Sequence, residues 1–146
     1  MKGAIAGLVL GALLGCFIAC GGQQHPDGVS KRTEITALWT QIRDWRREAH
    51  MDLDPNTQTV FQLKLRTVKD AKNVCSVDQK VPTACDDVCN LADAICDNAE
   101  AICTIADELG KDDTYAQDKC SSSKGSCREA KQKCCGCSTA PKPVDP

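Results

Sequence analysis

Six cysteines recur at a spacing that few folds can use. Cys89, Cys96 and Cys103 are seven residues apart, and so are Cys120, Cys127 and Cys134. Seven residues are close to two helical turns, so each trio forms one stripe along a helix. A second stripe lies beside each: Cys85, Ala92, Ala99 and Ala106 on the first segment, Ala116, Ser123, Ala130 and Cys137 on the second. In an antiparallel hairpin, facing residues have position numbers with a constant sum. Cys103 with Cys120, Cys96 with Cys127 and Cys89 with Cys134 each add to 223. Ala106 with Ala116, Ala99 with Ser123, Ala92 with Ala130 and Cys85 with Cys137 each add to 222. Two interleaved ladders therefore close on one bend at Gly110.

Geometry allows bonds across those ladders. Packed helix axes lie about 8–10 Å apart and each Cα about 2.3 Å from its axis, which puts facing Cα atoms roughly 3.4–5.4 Å apart. A disulfide usually spans about 4.4–6.8 Å between Cα atoms. The small residues of the second stripe let the helices stay that close. The expected bonds are Cys103–Cys120, Cys96–Cys127, Cys89–Cys134 and Cys85–Cys137. Cys75 and Cys135 remain, and elimination pairs them, tying the segment before the hairpin to its end.

The same cysteines admit other chemistry. A reduced bundle lined with thiolates would suit Cu(I) or Zn, and Cys85, Cys89, Cys134 and Cys137 could make one four-thiolate site. A mirrored one-to-one register is what crosslinking needs and a metal core does not. There are only two histidines, His25 in a polar stretch and His50 at a helix end, and no Met cluster. Thiol–disulfide exchange is a further reading of the C-x-x-C spacing in Cys134-Cys135-Gly136-Cys137. Redox-active pairs sit at helix N-termini, where the thiol pKa falls. This pair sits at an expected helix C-terminus, which favours cations.

Four helices can be read, because Pro and Gly are absent from residues 31–54, 56–81 and 83–109. The first runs from about Lys31 to His50, capped by Ser30 with Glu34 near its first turn. Ile35, Leu38, Trp39, Ile42, Trp45 and Ala49 give it one apolar face, with Arg43, Arg46 and Arg47 off that stripe. The second starts at Asp54-Pro55, an N-cap followed by Pro at the first helical position, and runs to about Asn73. Phe61, Leu65 and Val68 form its stripe beside Val60, and a strand through residues 60–68 is the alternative. The third runs from about Ala84 to Leu109, with Thr83 and Asp86 resembling a capping box and Gly110 as its stop. The fourth starts near Asp112 or Asp113 and ends near Cys135, with Gly136 as its stop.

The N-terminus reads as a targeting segment. After Lys2, residues 3–19 carry no charge and are mostly apolar. That pattern suits a signal peptide and is marginal for a spanning helix, which needs roughly 20 apolar residues; an uncleaved anchor is the alternative. A small residue precedes both Cys16 and Cys20, as in a lipobox, where cleavage before the cysteine is followed by acylation of its thiol. Parity favours Cys20: of 12 cysteines, ten then remain in the mature chain, whereas lipidation of Cys16 leaves eleven and one unpaired. Residues 20–30 read as a flexible tether and residues 138–146, with three prolines, as a disordered tail.

Charge is nearly balanced overall, at -2, but not along the chain. Residues 31–74 carry nine basic against six acidic side chains, residues 75–119 three against eleven, and residues 120–146 five against two. Docking of oppositely charged neighbours is the expected consequence. Asp93, Asp97, Glu100 and Asp107 spread at helical steps as a solvated face. No long basic run exists, so nucleic acid is not an expected partner. The chain downstream of the leader has only four aromatics, Trp39, Trp45, Phe61 and Tyr115. So thin a core needs fasteners such as disulfides, and an oxidising compartment permits them. No G-x-S-x-G, H-E-x-x-H, P-loop or dinucleotide loop is present, so no hydrolase chemistry, other catalysis or cofactor is expected.

The stretch CDNAEAICTIADELGKDDTYAQDKCSSSKGSCREAKQKC, residues 96–134, and LWTQIRDWRREAHMDLDP, residues 38–55, resemble a group of small cysteine-rich lipoproteins of bacterial envelopes. The resemblance implies location and fold, and brings no activity with it. The expectation is an all-α chain: a signal peptide over 1–19, the tether, an N-terminal helical segment over 31–74 and a stapled hairpin over 75–137. The hairpin packs with one or two N-terminal helices as an irregular four-helix bundle. Its expected role is structural or interactive, with the membrane as one partner through the lipid and an envelope protein as another. Thiolate binding or storage of Cu(I) or Zn is the alternative.

Overall fold

The computed structural model describes residues 26–76 and 79–137, and every regular element among them is a helix. The expected signal peptide, both lipobox cysteines, most of the tether and the tail lie outside those residues. In chain order the helices are α1 (Pro26–Glu48), α2 (Thr57–Leu63), α3 (Val68–Lys72), α4 (Asp86–Leu109) and α5 (Thr114–Cys135), with a single 3₁₀ turn, Thr83–Cys85, leading into α4.

The bend between α4 and α5 is built by local chemistry. Gly110 adopts φ 91°, a left-handed conformation that a side chain would strain, and its N–H bonds back to Ala106 and Asp107. Gln117 donates from Nε2 to the carbonyls of Ala106 and Gly110, satisfying the exposed end of α4. Asp113 caps α5, accepting from the Ala116 N–H.

Large apolar side chains bring α1 to this hairpin. Ile35, Trp39 and Ile42 interlock with Ile95, Ile102 and Ile105 of α4 in the main core. At the C-terminal end of α1, His50 takes φ 53°, a position usually given to glycine, and remains exposed. Leu63, Val68 and Ala71 form a second, smaller cluster with Cys96, Ala99 and Cys127. The hairpin thus receives α1 in one cluster and α2–α3 in another.

Three boundaries differ from the sequence reading. First, α1 begins at Pro26, so Ser30 lies inside the helix and the tether expected over 20–30 is shorter. Proline at a first helical position needs no N–H partner, which permits the early start. Second, the single helix expected from Asp54 to Asn73 is two short helices. Asn56, rather than Asp54, caps α2 by accepting from Gln58 N–H, and a Thr67–Asp70 capping box restarts the chain as α3. That box is strong enough to impose a new N-terminus within an otherwise helical run. Third, Thr83 and Asp86 form no side-chain cap, because residues 83–85 close as a 3₁₀ turn ahead of α4.

Of the stripe expected on the second helix, Phe61, Leu65 and Val68, only Val68 is buried. Leu63, Val68 and Ala71 point inward, whereas Phe61 is 78% and Leu65 95% exposed.

Candidate functional site

The sulfur ladder is the most constrained feature of the molecule. Cys103–Cys120, Cys96–Cys127 and Cys89–Cys134 join α4 to α5 with Cα separations of 4.6, 4.5 and 4.8 Å. Cys85–Cys137 closes the far end at 6.1 Å, and Cys75–Cys135 ties the segment after α3 to the end of α5 at 5.6 Å. These are the pairs that the constant sum and elimination specify. Between the rungs Ala92, Ala99, Ala106, Ala116, Ser123 and Ala130 are all buried, so the second stripe forms the close seam that permits such short separations.

The bonds consume all ten cysteines from Cys75 to Cys137. Cys85, Cys89, Cys134 and Cys137 do come together at one end of the hairpin, as two disulfides rather than four thiolates. Among the described residues no group of His, Cys, Asp or Glu is arranged to hold a metal. A disulfide-dense domain of this kind belongs to an oxidising, extracytoplasmic compartment. No described helix is long and apolar enough to cross a membrane.

Around the ladder, opposite charges dock the elements. Lys131 of α5 pairs with Asp93, and Lys72 of α3 reaches Asp97 at 3.3 Å and Glu100 at 2.9 Å. Three of the four acidic residues expected to form a solvated face on α4 therefore meet lysines, and only Asp107 of that set lacks such a pair among the described residues. Bonding to Glu100, above all, raises the Lys72 pKa. Near the bend Arg32 donates to Asp113 at 2.8 Å and Lys31 meets Glu108.

Two buried cations were not legible as such. Arg46 was expected off the apolar stripe, yet it is 1% exposed. It donates to the carbonyls of Asp52 and Asp54 and to Glu129 of α5 at 2.8 Å, while the other Glu129 oxygen accepts from Asn56 N–H. One guanidinium and one carboxylate thereby fasten the 52–56 loop to both α1 and α5. The second is Lys124 of α5, 6% exposed, whose ammonium donates to the carbonyls of Lys64 and Arg66. Burial pushes its pKa below the ordinary lysine value. The signals were present: Arg46 completes the series 35, 39, 42, 46, 49 and Lys124 stands between Cys120 and Cys127, so both lie on inward stripes.

The remaining cavities are shallow. One of 290 Å³ lies between α1, α2 and α5, lined by residues that include Trp39, Pro55, Val60 and Lys119. Lys119 stands 4.8 Å above the Trp39 ring, a cation–π contact that covers the indole from outside. Comparison with protein-family models, curated proteins and solved structures finds no match to this chain.

Proposed function

We propose that this protein is a lipid-anchored module of the bacterial cell envelope whose stapled helical domain serves a structural or protein-binding role without catalysis. The observation that carries this reading is the closed sulfur account. Every cysteine from Cys75 onward has a partner, which leaves Cys16 and Cys20 in the apolar N-terminal segment. Lipidation at Cys20 removes Cys16 with the leader and leaves no odd thiol. Lipidation at Cys16 would strand Cys20 in an oxidising compartment.

A tethered domain meets proteases and wide changes of salt and pH. Covalent rungs do not weaken with ionic strength as surface ion pairs do, which suits a module that must hold its shape outside the cell's reducing interior. Mass spectrometry of the protein isolated from membranes tests the proposal. The expected result is a mature N-terminus at Cys20 bearing diacylglycerol and no alkylatable thiol. Ten alkylatable thiols with bound copper or zinc would replace this function by thiolate metal storage.

A further inference from the structure

The turn that leaves α2 presents two large apolar side chains to solvent and is held rigidly from behind. Phe61 and Leu65 are four residues apart through continuous helical turns, since Lys64 keeps an α conformation, so they share a side. Beside them Lys64, Arg66 and Lys69 are exposed and make no salt bridge among the described residues. The nearby carboxylate, Asp70, is occupied by the Thr67 N–H and hydroxyl of the α3 capping box. Lys124 reaches through from α5 to grip the Lys64 and Arg66 carbonyls on either side of Leu65. A buried ammonium thus fixes the turn that carries a 95% exposed leucine.

We propose that this exposed apolar and basic surface, Phe61 to Lys69, docks on an anionic phospholipid bilayer. Exposed apolar groups ringed by cations enter the headgroup boundary while the cations meet lipid phosphates. The orientation rests on the anchoring at Cys20 proposed above, and the tether is long enough for it. From Cys20 to Pro26 the chain spans at most about 20 Å. Lys124 stands roughly 16 Å along α5 from the capping residue Asp113, which meets Arg32, and Pro26 begins α1 about 9 Å farther from Lys124. With the domain on its side the tether has only to bridge the height of Pro26 above the surface rather than this distance, and the apolar tip is the second contact that stable peripheral binding requires.

The test places an indole at the tip. The full chain with Leu65→Trp, and a second with Phe61→Trp, are reconstituted into phosphatidylcholine vesicles with brominated acyl chains, with or without phosphatidylglycerol. In phosphatidylglycerol vesicles the added emission is expected to shift to the blue and be quenched by bromine. Neutralising Lys64, Arg66 and Lys69 to Gln should weaken surface association by about a hundredfold, at about fivefold per cation, and abolish the quenching. Added emission that stays equally accessible to a soluble quencher in both vesicles overturns the proposal. So does emission shielded only after envelope proteins are added, which assigns the surface to a protein partner. The mass of the Cys20 peptide is read on the same samples. A missing lipid refutes the anchor alone, and the docking is then decided by the same variants coupled through their N-terminus to a lipid in the vesicles.

Discussion

The hairpin and α1 share one core but are held in it by different chemistry. Where α4 and α5 face each other the positions are alanine, serine and cysteine, and sulfur carries the contact. In α1 no cysteine is present, and Ile35, Trp39 and Ile42 do the same work by apolar area. The central run of α5, from Ser123 to Cys127, is buried at every position although it reads Ser-Lys-Gly-Ser-Cys. Serine and glycine are poor helix formers in isolation. Their small size is what lets α4 on one side and residues 55–60 on the other approach so closely: a Cβ on Gly125 would meet Val60 Cγ2 at 2.9 Å and Pro55 Cβ at 3.1 Å. Polarity therefore misleads as a guide to burial here, and residue volume serves better.

The sharpest test of the comparison is chemical reduction. Closing the 17-residue separation of Cys103 and Cys120 contributes on the order of 3 kcal/mol in the chain-entropy model, with smaller additions from the nested rungs. Because α5 has little apolar area of its own, the reduced chain is expected to lose most of its helical circular dichroism. A reduced chain that melts like the oxidised one would show that sulfur is dispensable and erase the contrast with α1. Oxidised protein in denaturant should behave the other way, releasing α1 while the hairpin persists, as hydrogen exchange resolved by segment would show.

The next effect concerns the ionic contact that α1 does have. Arg46 and Glu129 are 1% and 17% exposed at the side chain, and Arg46 Nη1 is buried without a partner. Removing the carboxylate with Glu129→Ala leaves a cation inside, at a cost below the roughly 3–5 kcal/mol of a fully buried pair, because Glu129 is partly exposed and Arg46 keeps the Asp52 and Asp54 carbonyls. Paired replacement by Arg46→Met and Glu129→Leu should recover much of that loss. Urea unfolding of the two variants checks the order, and equal losses would mean that the hydrogen bonds to the 52–56 loop matter more than the charge.

A smaller effect is expected from widening the seam. Ala99 is wholly buried between the rungs at Cys96 and Cys103. Ala99→Leu adds volume that the close helices cannot accept, at about 1–3 kcal/mol, and should slow correct disulfide formation during oxidative refolding. Unchanged refolding kinetics would count against a close-packed seam.

The parts legible in the sequence are those where covalent geometry imposes arithmetic. Seven-residue spacing and the Gly110 bend specify the hairpin and its sulfur pairs without reference to the rest of the chain. The α2–α3 region was less legible because its outcome depends on competition between local signals. Thr67 and Asp70 form a capping box that restarts the chain as α3, and α2 docks through Leu63 while Phe61 and Leu65 stay exposed. Arg46, expected off the apolar stripe, and Lys124, for which no placement was expected, are buried for a different reason. Both residues stand on stripes whose other members are buried, and backbone carbonyls of loops outside their own helices, at Asp52 and Asp54 for Arg46 and at Lys64 and Arg66 for Lys124, supply the partners.

The least of the expected effects separates two lysines by the sign of their pH dependence. Lys72 is raised above 10.5, chiefly by its bond to Glu100, so its folded state keeps the proton longer than the unfolded chain. The stability it brings is whole below that value and is lost as pH climbs through the folded pKa. Lys124 is lowered by burial, so folding releases its proton first, and stability rises as pH climbs from the folded pKa toward 10.5. Urea unfolding from neutral to alkaline pH should therefore lose its alkaline fall in Lys72→Met and its rise in Lys124→Met. The Lys72 contribution is that of a largely exposed pair, about 0.2–1 kcal/mol. A fall in both profiles would mean that the carbonyls of Lys64 and Arg66 hold the ammonium charged more strongly than burial opposes it, so that the turn carrying Leu65 is gripped by charge rather than by packing.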